Sequence, residues 1–362
     1  MGMRSYIIRR LLLLPVTLIG VTILIFAVVQ SFTPVQRASL YVTDPRHAYR
    51  ALQEIIRKYR LNDPFYVQYY LWIQEVFKGN LGWSRSFQMR VSDAIINFAP
   101  ATAELVMYTV PLTVLLGIYL GKISAKHRDK PLDHLTRALS IIGWSLPSFW
   151  LGILLLAFFY GGMSSLVQRQ TNPTLKFLLS LLVFPPERLG LEASTYVDSP
   201  YFIKYTGLNT IDALLNGQLW IFFDALRHLV LPVITLTIIQ VALIVRIMRS
   251  SMLEALSKGY ILAARAKGLS EDEVINKHAK RNALIPVITV SGLLFAGMLS
   301  GVVITETVFE YKGIGYFAAT AARRLDIPGV LGFALFSGFI FVIANLIVDI
   351  LYAYIDPRIR LR

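Results

Sequence analysis

The sequence predicts an all-α polytopic membrane protein with six transmembrane helices and both termini in the cytoplasm. Three observations carry that expectation. Of the 362 residues, 55% are hydrophobic and only 16% charged, and mean hydropathy is +0.57. Six apolar stretches are long enough to cross a bilayer, and the basic residues crowd onto one set of loops. A soluble chain of this length normally carries about a quarter charged residues. The net charge of +14 on so apolar a chain must gather in the loops, where it reads as a topology signal before a nucleic-acid one. With no cysteine, disulfides, cysteine zinc sites, thiol nucleophiles and cysteine-ligated clusters are excluded.

A crossing helix needs roughly 20 mostly apolar residues. The qualifying stretches are about 7–31, 100–121, 138–160, 226–245, 283–304 and 329–354. Arg4, Arg9 and Arg10 lend the first the look of a signal peptide, but its apolar run is too long and no small-residue cleavage site follows, so it is expected to stay as an anchor. The termini and the loops after the second and fourth spans hold 19 Lys/Arg against seven Asp/Glu, while the opposite side holds 17 against 14. That asymmetry places both termini in the cytoplasm.

The implied organisation is an N-terminal anchor span over 1–31, an external segment over 32–99, and a five-span core over 100–362. The core carries an external insertion at 161–225 and a cytoplasmic loop at 246–282. In the first external segment Ala51, Ile55, Ile56 and Tyr59, then Phe65, Tyr69, Trp72, Ile73 and Val76, recur at helical spacing. They suit amphipathic helices on the membrane surface or against the spans. The apolar run 177–184 ends at Pro185-Pro186 and is too brief to cross.

An enzyme needs a constellation of reactive groups, and the sequence offers none. H-E-x-x-H and G-x-S-x-G are absent, and His47, His127, His134, His228 and His278 lack ligand spacing, so neither catalytic residues nor a metal or cofactor is expected. The stretch 117–124, GIYLGKIS, looks like a phosphate loop but has three residues between its glycines instead of four and no Ser or Thr directly after Lys122. Ion-coupled carriers place ionisable groups at membrane depth. Here only Glu104, Glu306 and Asp349 lie in or near a span, each at a boundary, as gating or boundary carboxylates. Energy for uphill transport is therefore expected to enter from elsewhere. Pro111, Pro147, Pro232, Pro286, Gly292, Gly297 and Gly301 read first as packing and kink positions inside spans.

The cytoplasmic loop 246–282 has a helix–break–helix grammar. Helix formers run from Leu253 to Lys267, Gly268 suits a left-handed stop, and Ser270 with Glu273 forms a capping-box pattern ahead of a short second helix ending near Lys280 and Arg281. Ala263, Ala264 and Ala266 form a small face among Arg265 and Lys267, suited to close approach by an acidic partner; a plain solvated loop is the alternative.

Residues 262–270, LAARAKGLS, continuing to 278–286, HAKRNALIP, resemble the EAA loop of ABC-importer permeases in its dipeptide/oligopeptide/nickel form. The resemblance covers most of the chain. It includes RRLLLLP at 9–15, LNDP at 61–64, GNLG at 79–82, PATAEL at 100–105, SLPSFWLG at 145–152, HLVLP at 228–232, ETVF at 306–309 and DILYAYIDPR at 349–358. Departures are Leu262 where the loop pattern begins with Glu, FTPV at 32–35 where Pro-Gly-Asp-Pro is common, and the length of the 161–225 insertion. The resemblance implies the type I importer permease fold in a prokaryotic plasma membrane. It also implies a second homologous permease subunit, two cytoplasmic ATPase subunits that hydrolyse ATP in place of this chain, and an external substrate-binding protein. The coupling residues it implies are Ala263, Ala264, Arg265, Ala266, Lys267 and Gly268. Di- or oligopeptide is the default cargo, with oligosaccharide or nickel chelate as alternatives; a self-sufficient channel or secondary transporter is the reading from a different class.

The charge asymmetry has a direct check. In a chain with no native cysteine, Ser194→Cys should react with impermeant maleimide from outside and Gly268→Cys only from the cytoplasm. Labelling of Ser194→Cys only from the cytoplasmic side would reverse the topology.

Overall fold

The computed structural model describes residues 3–41 and 48–355. His47 and the closing 356–358 motif lie outside them. The chain opens with α1 (Met3–Val29), α2 (Pro34–Ala38), a 3-10 turn (Ser39–Tyr41), α3 (Ala48–Lys58) and α4 (Phe65–Phe77). A two-stranded antiparallel hairpin of β1 (Trp83–Ser84) and β2 (Met89–Arg90) follows, the only sheet among the described residues. Next come α5 (Val91–Lys126), α6 (Pro131–Ser145), α7 (Ser148–Leu156), a π-helical turn (Ala157–Gly162), α8 (Met163–Arg169), α9 (Pro173–Ser180), α10 (Leu191–Val197) and α11 (Asn209–Leu215). The remainder is α12 (Leu219–Leu256), α13 (Gly259–Ala266), α14 (Glu271–Glu273), a second π-helical turn (Val274–Ala279), α15 (Lys280–Leu299), α16 (Val303–Val308), α17 (Ile314–Arg323) and α18 (Ile327–Ile355).

Six helical segments are long and apolar enough to cross a membrane: 11–29, 91–126, 148–169, 219–256, 271–299 and 327–348. Their number agrees with the sequence, but the third is displaced from the expected 138–160. Leu146 is extended (ψ 128°) ahead of Pro147, which caps α7, so α6 ends at Ser145 and the crossing begins at Ser148. Proline disfavours helical backbone in the residue before it, which is why the apolar run breaks there. Pro100, Pro111, Pro232 and Pro286 sit inside continuous helices instead.

The central pair is α5 against α12. At 38 residues α12 is roughly 57 Å long, well beyond the ~30 Å hydrocarbon core, so it projects into water. The two helices meet at glycines. A Cβ at Gly117 would overlap Ile244, and one at Gly121 would stand 2.6 Å from Met248 Cβ and 2.9 Å from the Val245 carbonyl. This is small-xxx-small packing, and it accounts for the two glycines of the phosphate-loop look-alike.

The segment after α1 folds back on that helix. Phe26, Leu61, Trp72 and Leu331 share one buried cluster, with Trp72 tilted on Phe26 at 5.0 Å between ring centroids. The Tyr69 hydroxyl meets the Thr22 hydroxyl at 2.8 Å. Thus α4 lies against a span. The 161–225 insertion holds α8 through α11 and its own cluster of Leu189, Ala193, Val197, Phe202, Ala213, Ile221 and Ala225. The apolar run 177–184, read as too brief to cross, begins inside α9, which is capped by Asn172 Oδ1 accepting from the Thr174 and Leu175 amides.

The glycine contact makes the expected effect of overpacking specific. Gly121→Val should cost about 1–3 kcal/mol and lower the melting temperature of the purified protein. Gly259→Val, where a Cβ would meet nothing within 4 Å, should leave that temperature nearly unchanged. Equal melting of the two variants would refute the close packing.

Candidate functional site

The 246–282 segment is a braced corner between two long helices. After α12 ends, Lys258 is extended and α13 begins. Its apolar residues divide between two faces. Ile261 and Ala264 are buried, with Ala264 at 6% exposure in a cluster with Met252, Val274, Ile275 and Ala279. Leu262 is 70% exposed, and Ala263, Arg265, Ala266, Lys267 and Gly268 are exposed with it. The three alanines therefore do not form one outward face. Ala264 faces this chain's own core, because positions 261 and 264 share a side of the helix.

Gly268 ends α13 at φ +78°, the left-handed region. Its amide donates to the Arg265 carbonyl at 2.9 Å, and the Leu269 amide reaches the Ala264 carbonyl at 3.4 Å. That pair of bonds is a Schellman stop, completed by Leu269 packing on the cluster that contains Ala264. Ser270 Oγ then accepts from the Glu273 amide at 3.3 Å. The capped helix is not short, as the sequence suggested. It continues from α14 through the π-helical turn into α15, since the charged residues near Lys280 and Arg281 carry no breaker.

Side chains tie this corner to its neighbours. Arg265 grips Glu271 through two bonds, Nε to Oε2 at 3.0 Å and Nη2 to Oε1 at 2.6 Å. Lys122 Nζ donates to Asn276 Oδ1 at 3.3 Å, and Lys126 lies 3.6 Å from Asp272. Close by, buried Asp133 accepts from Arg249 Nε at 2.8 Å and Nη2 at 2.7 Å, from the Asp129 amide at 3.1 Å, and from Ser124 Oγ. Arg249's hydrogen bonds hold the Asp133 carboxyl well below the usual carboxylate range, against the opposing pull of burial. The ends of α5, α6 and α12 are fastened there.

At the other end stand the two boundary carboxylates. Glu104 is 1% exposed, not wetted by interfacial water. Its Oε2 accepts from Arg188 Nη2 at 2.8 Å and the Tyr311 hydroxyl at 2.9 Å, and its Oε1 from the Thr210 amide at 2.7 Å and hydroxyl at 2.9 Å. Glu306 is fully buried and caps α17. Oε2 accepts from the Tyr316 amide at 2.8 Å, and Oε1 from the Thr102 hydroxyl at 2.7 Å and the Val302 amide at 3.3 Å. Burial pushes the Glu306 carboxyl up in pKa while these bonds pull it back. Asp349 falls within α18, and its side chain lies outside the described ones. Arg188, Thr210, Tyr311, Asp133 and Arg249 were not singled out from sequence, because each partner is brought in by tertiary folding. Among the described residues no group of three His, Cys, Asp or Glu could hold a metal ion.

Six helices long and apolar enough to cross a bilayer, with an exposed, braced short helix between the fourth and fifth, define an integral membrane protein. The chain belongs to the family of binding-protein-dependent transport system inner membrane components, whose model matches residues 113–361. It is 38% identical to the probable D,D-dipeptide transport system permease protein DdpB of Escherichia coli (strain K12), over 94% of this chain and 93% of that protein. It is 34% identical to the dipeptide transport system permease protein DppB of Alkalihalophilus pseudofirmus, over 99% and 100% respectively. The di/tripeptide transport system permease protein DppB of Pseudomonas aeruginosa is 36% identical, over 99% of both chains. The protein is thus a bacterial-type inner-membrane permease subunit of a binding-protein-dependent importer, and the self-sufficient channel or secondary transporter falls away.

The Glu104 node carries a stability test. Arg188→Met leaves Glu104 buried without its counter-charge and should cost about 3–5 kcal/mol, read as a lower melting temperature. The double variant Arg188→Met/Glu104→Leu should recover much of the loss. Wild-type melting of Arg188→Met would show that the pair is not a structural tie.

Proposed function

We propose that the chain is one of two homologous permease subunits that together enclose a path for di- or oligopeptides. Both termini are cytoplasmic, α13 docks on one of two ATPase subunits, and a binding protein delivers cargo at the opposite end. The observation that carries the docking role is the exposed apolar tip of α13: Leu262, Ala263 and Ala266 are exposed to solvent, on a corner otherwise rich in charge. An exposed apolar tip on a braced helix suits burial against another protein. The Schellman stop, the Arg265–Glu271 bridge and the continuity of α14 with α15 make α13 a stiff attachment to the spans. Movement of an ATPase would then pass into the spans as a rigid-body displacement, the usual route to alternating access. Peptide as cargo is supported by the names of the relatives.

Because Ala264 faces inward, docking and folding can be tested separately. Leu262→Glu should leave the melting temperature unchanged yet abolish co-purification with the ATPases and peptide uptake. Gly268→Val should cost at least ~1 kcal/mol, since its backbone is left-handed, and should uncouple hydrolysis from uptake. If both variants keep wild-type complex yield, ATPase stimulation and uptake of labelled dialanine, the loop is a solvated connector.

A further inference from the structure

Between the 161–225 insertion and the α16–α17 loop lies a cavity of about 240 Å³. It lies beside the Glu104 node, since Arg188 belongs to both. Its charges fall into two groups. Arg188 is committed to Glu104 and the Gly207 carbonyl, and Lys204 to Asp198 at 2.8 Å. Glu187, Glu310 and Lys312 also line the cavity and have no ion-pair partner among the described residues. The two free carboxylates are borne by residues with positive φ, +72° at Glu187 and +51° at Glu310. Non-glycine residues seldom adopt that backbone, and the Glu187 amide is pinned to the Phe309 carbonyl at 2.7 Å. The two carboxylates are therefore borne by constrained backbone, and the side chains of Glu187, Glu310 and Lys312 are exposed and open to a ligand.

The lining constrains what fits. Free groups of both signs disfavour a simple anion, which Glu187 and Glu310 would repel. The cavity is smaller than the roughly 300–1,000 Å³ of pockets for drug-sized ligands. An oligosaccharide carries no charge to meet these groups. A small zwitterion offers a group of each sign: an ammonium for the free carboxylates, a carboxylate for Lys312, and short side chains suited to the apolar lining of Phe98, Leu189 and Val197.

We propose that this cavity is a subsite on the permease for the charged termini of a short peptide, with Lys312 receiving the carboxylate and Glu310 and Glu187 the ammonium. The inference rests on the peptide-permease reading above and assigns part of the selection to the permease itself.

The chain has no native cysteine, so Ser194→Cys on the cavity wall serves as reporter, with Asn97→Cys on α5 as a second one should the first fold poorly. The permease–ATPase complex without binding protein is treated with maleimide in the presence of dialanine, up to ~10 mM, where a site of Kd ~1 mM is nearly filled. Dialanine should slow labelling several-fold, and N-acetyl-dialanine amide, which lacks both charges, should not. Lys312→Gln and Glu310→Gln should each weaken protection, and together abolish it. Absent protection, equal protection by the blocked peptide, or protection indifferent to both substitutions would overturn the subsite. So would protection by the binding protein but not by dialanine, which would assign the cavity to a protein loop. Dialanine uptake by the assembled system is measured separately: its failure overturns peptide as cargo, whereas the labelling result bears on the cavity.

Discussion

The placement of everything at the insertion end depends on one buried carboxylate. Glu104 lies inside α5, where an unpaired charge would be prohibitively costly. It is compensated only when Arg188 and Thr210 from the insertion and Tyr311 from the α16–α17 loop converge on it. Those groups are 84, 106 and 207 residues away in sequence. Two residues earlier, Thr102 donates to Glu306 and accepts from the Ile314 amide, so less than one turn of α5 anchors two separate extramembrane regions. The insertion cannot detach from the span without stranding a charge.

The basic end repeats this logic with different parts. Asp133 joins α6 to α5 through Ser124 and to α12 through Arg249. From Glu104 to Ser124 is 20 residues of one helix, roughly 30 Å, which matches the hydrocarbon thickness of a bilayer. The two charged nodes thus sit about where the two membrane faces should be. Between them Gly117 and Gly121 hold α5 against α12. The pair is fastened at both ends and close-packed in the middle.

How much of this was legible in the sequence follows from the range of each interaction. Signals within a turn or two were readable. The number of spans, the left-handed Gly268, the Ser270 cap and the brevity of α9 all rest on local patterns, and the structure agrees with them. Hydropathy alone runs the third span straight across Leu146-Pro147, whereas the backbone breaks there and the crossing begins at Ser148. Ala264 was grouped with Ala263 and Ala266 because composition says nothing about which side of a short helix is covered; the core that covers it comes from α12 and the π-helical turn. Arg188 looked like any loop arginine until folding brought it to Glu104.

The saturation of the carboxylates also bears on where energy enters. A group that carries protons or cations needs partners it can exchange as it titrates or binds. Glu104 accepts four hydrogen bonds from three residues, and Glu306 is enclosed by Thr102 and backbone amides. Releasing either would undo the attachment of an entire loop. Such carboxylates brace a structure better than they shuttle ions. That bracing role fits the proposal that the work of transport arrives mechanically, through a stiff handle on the chain. The handle proposed above, α13, is stopped by Gly268 and bridged by Arg265 to Glu271, at the start of the helix that runs through α14 into α15.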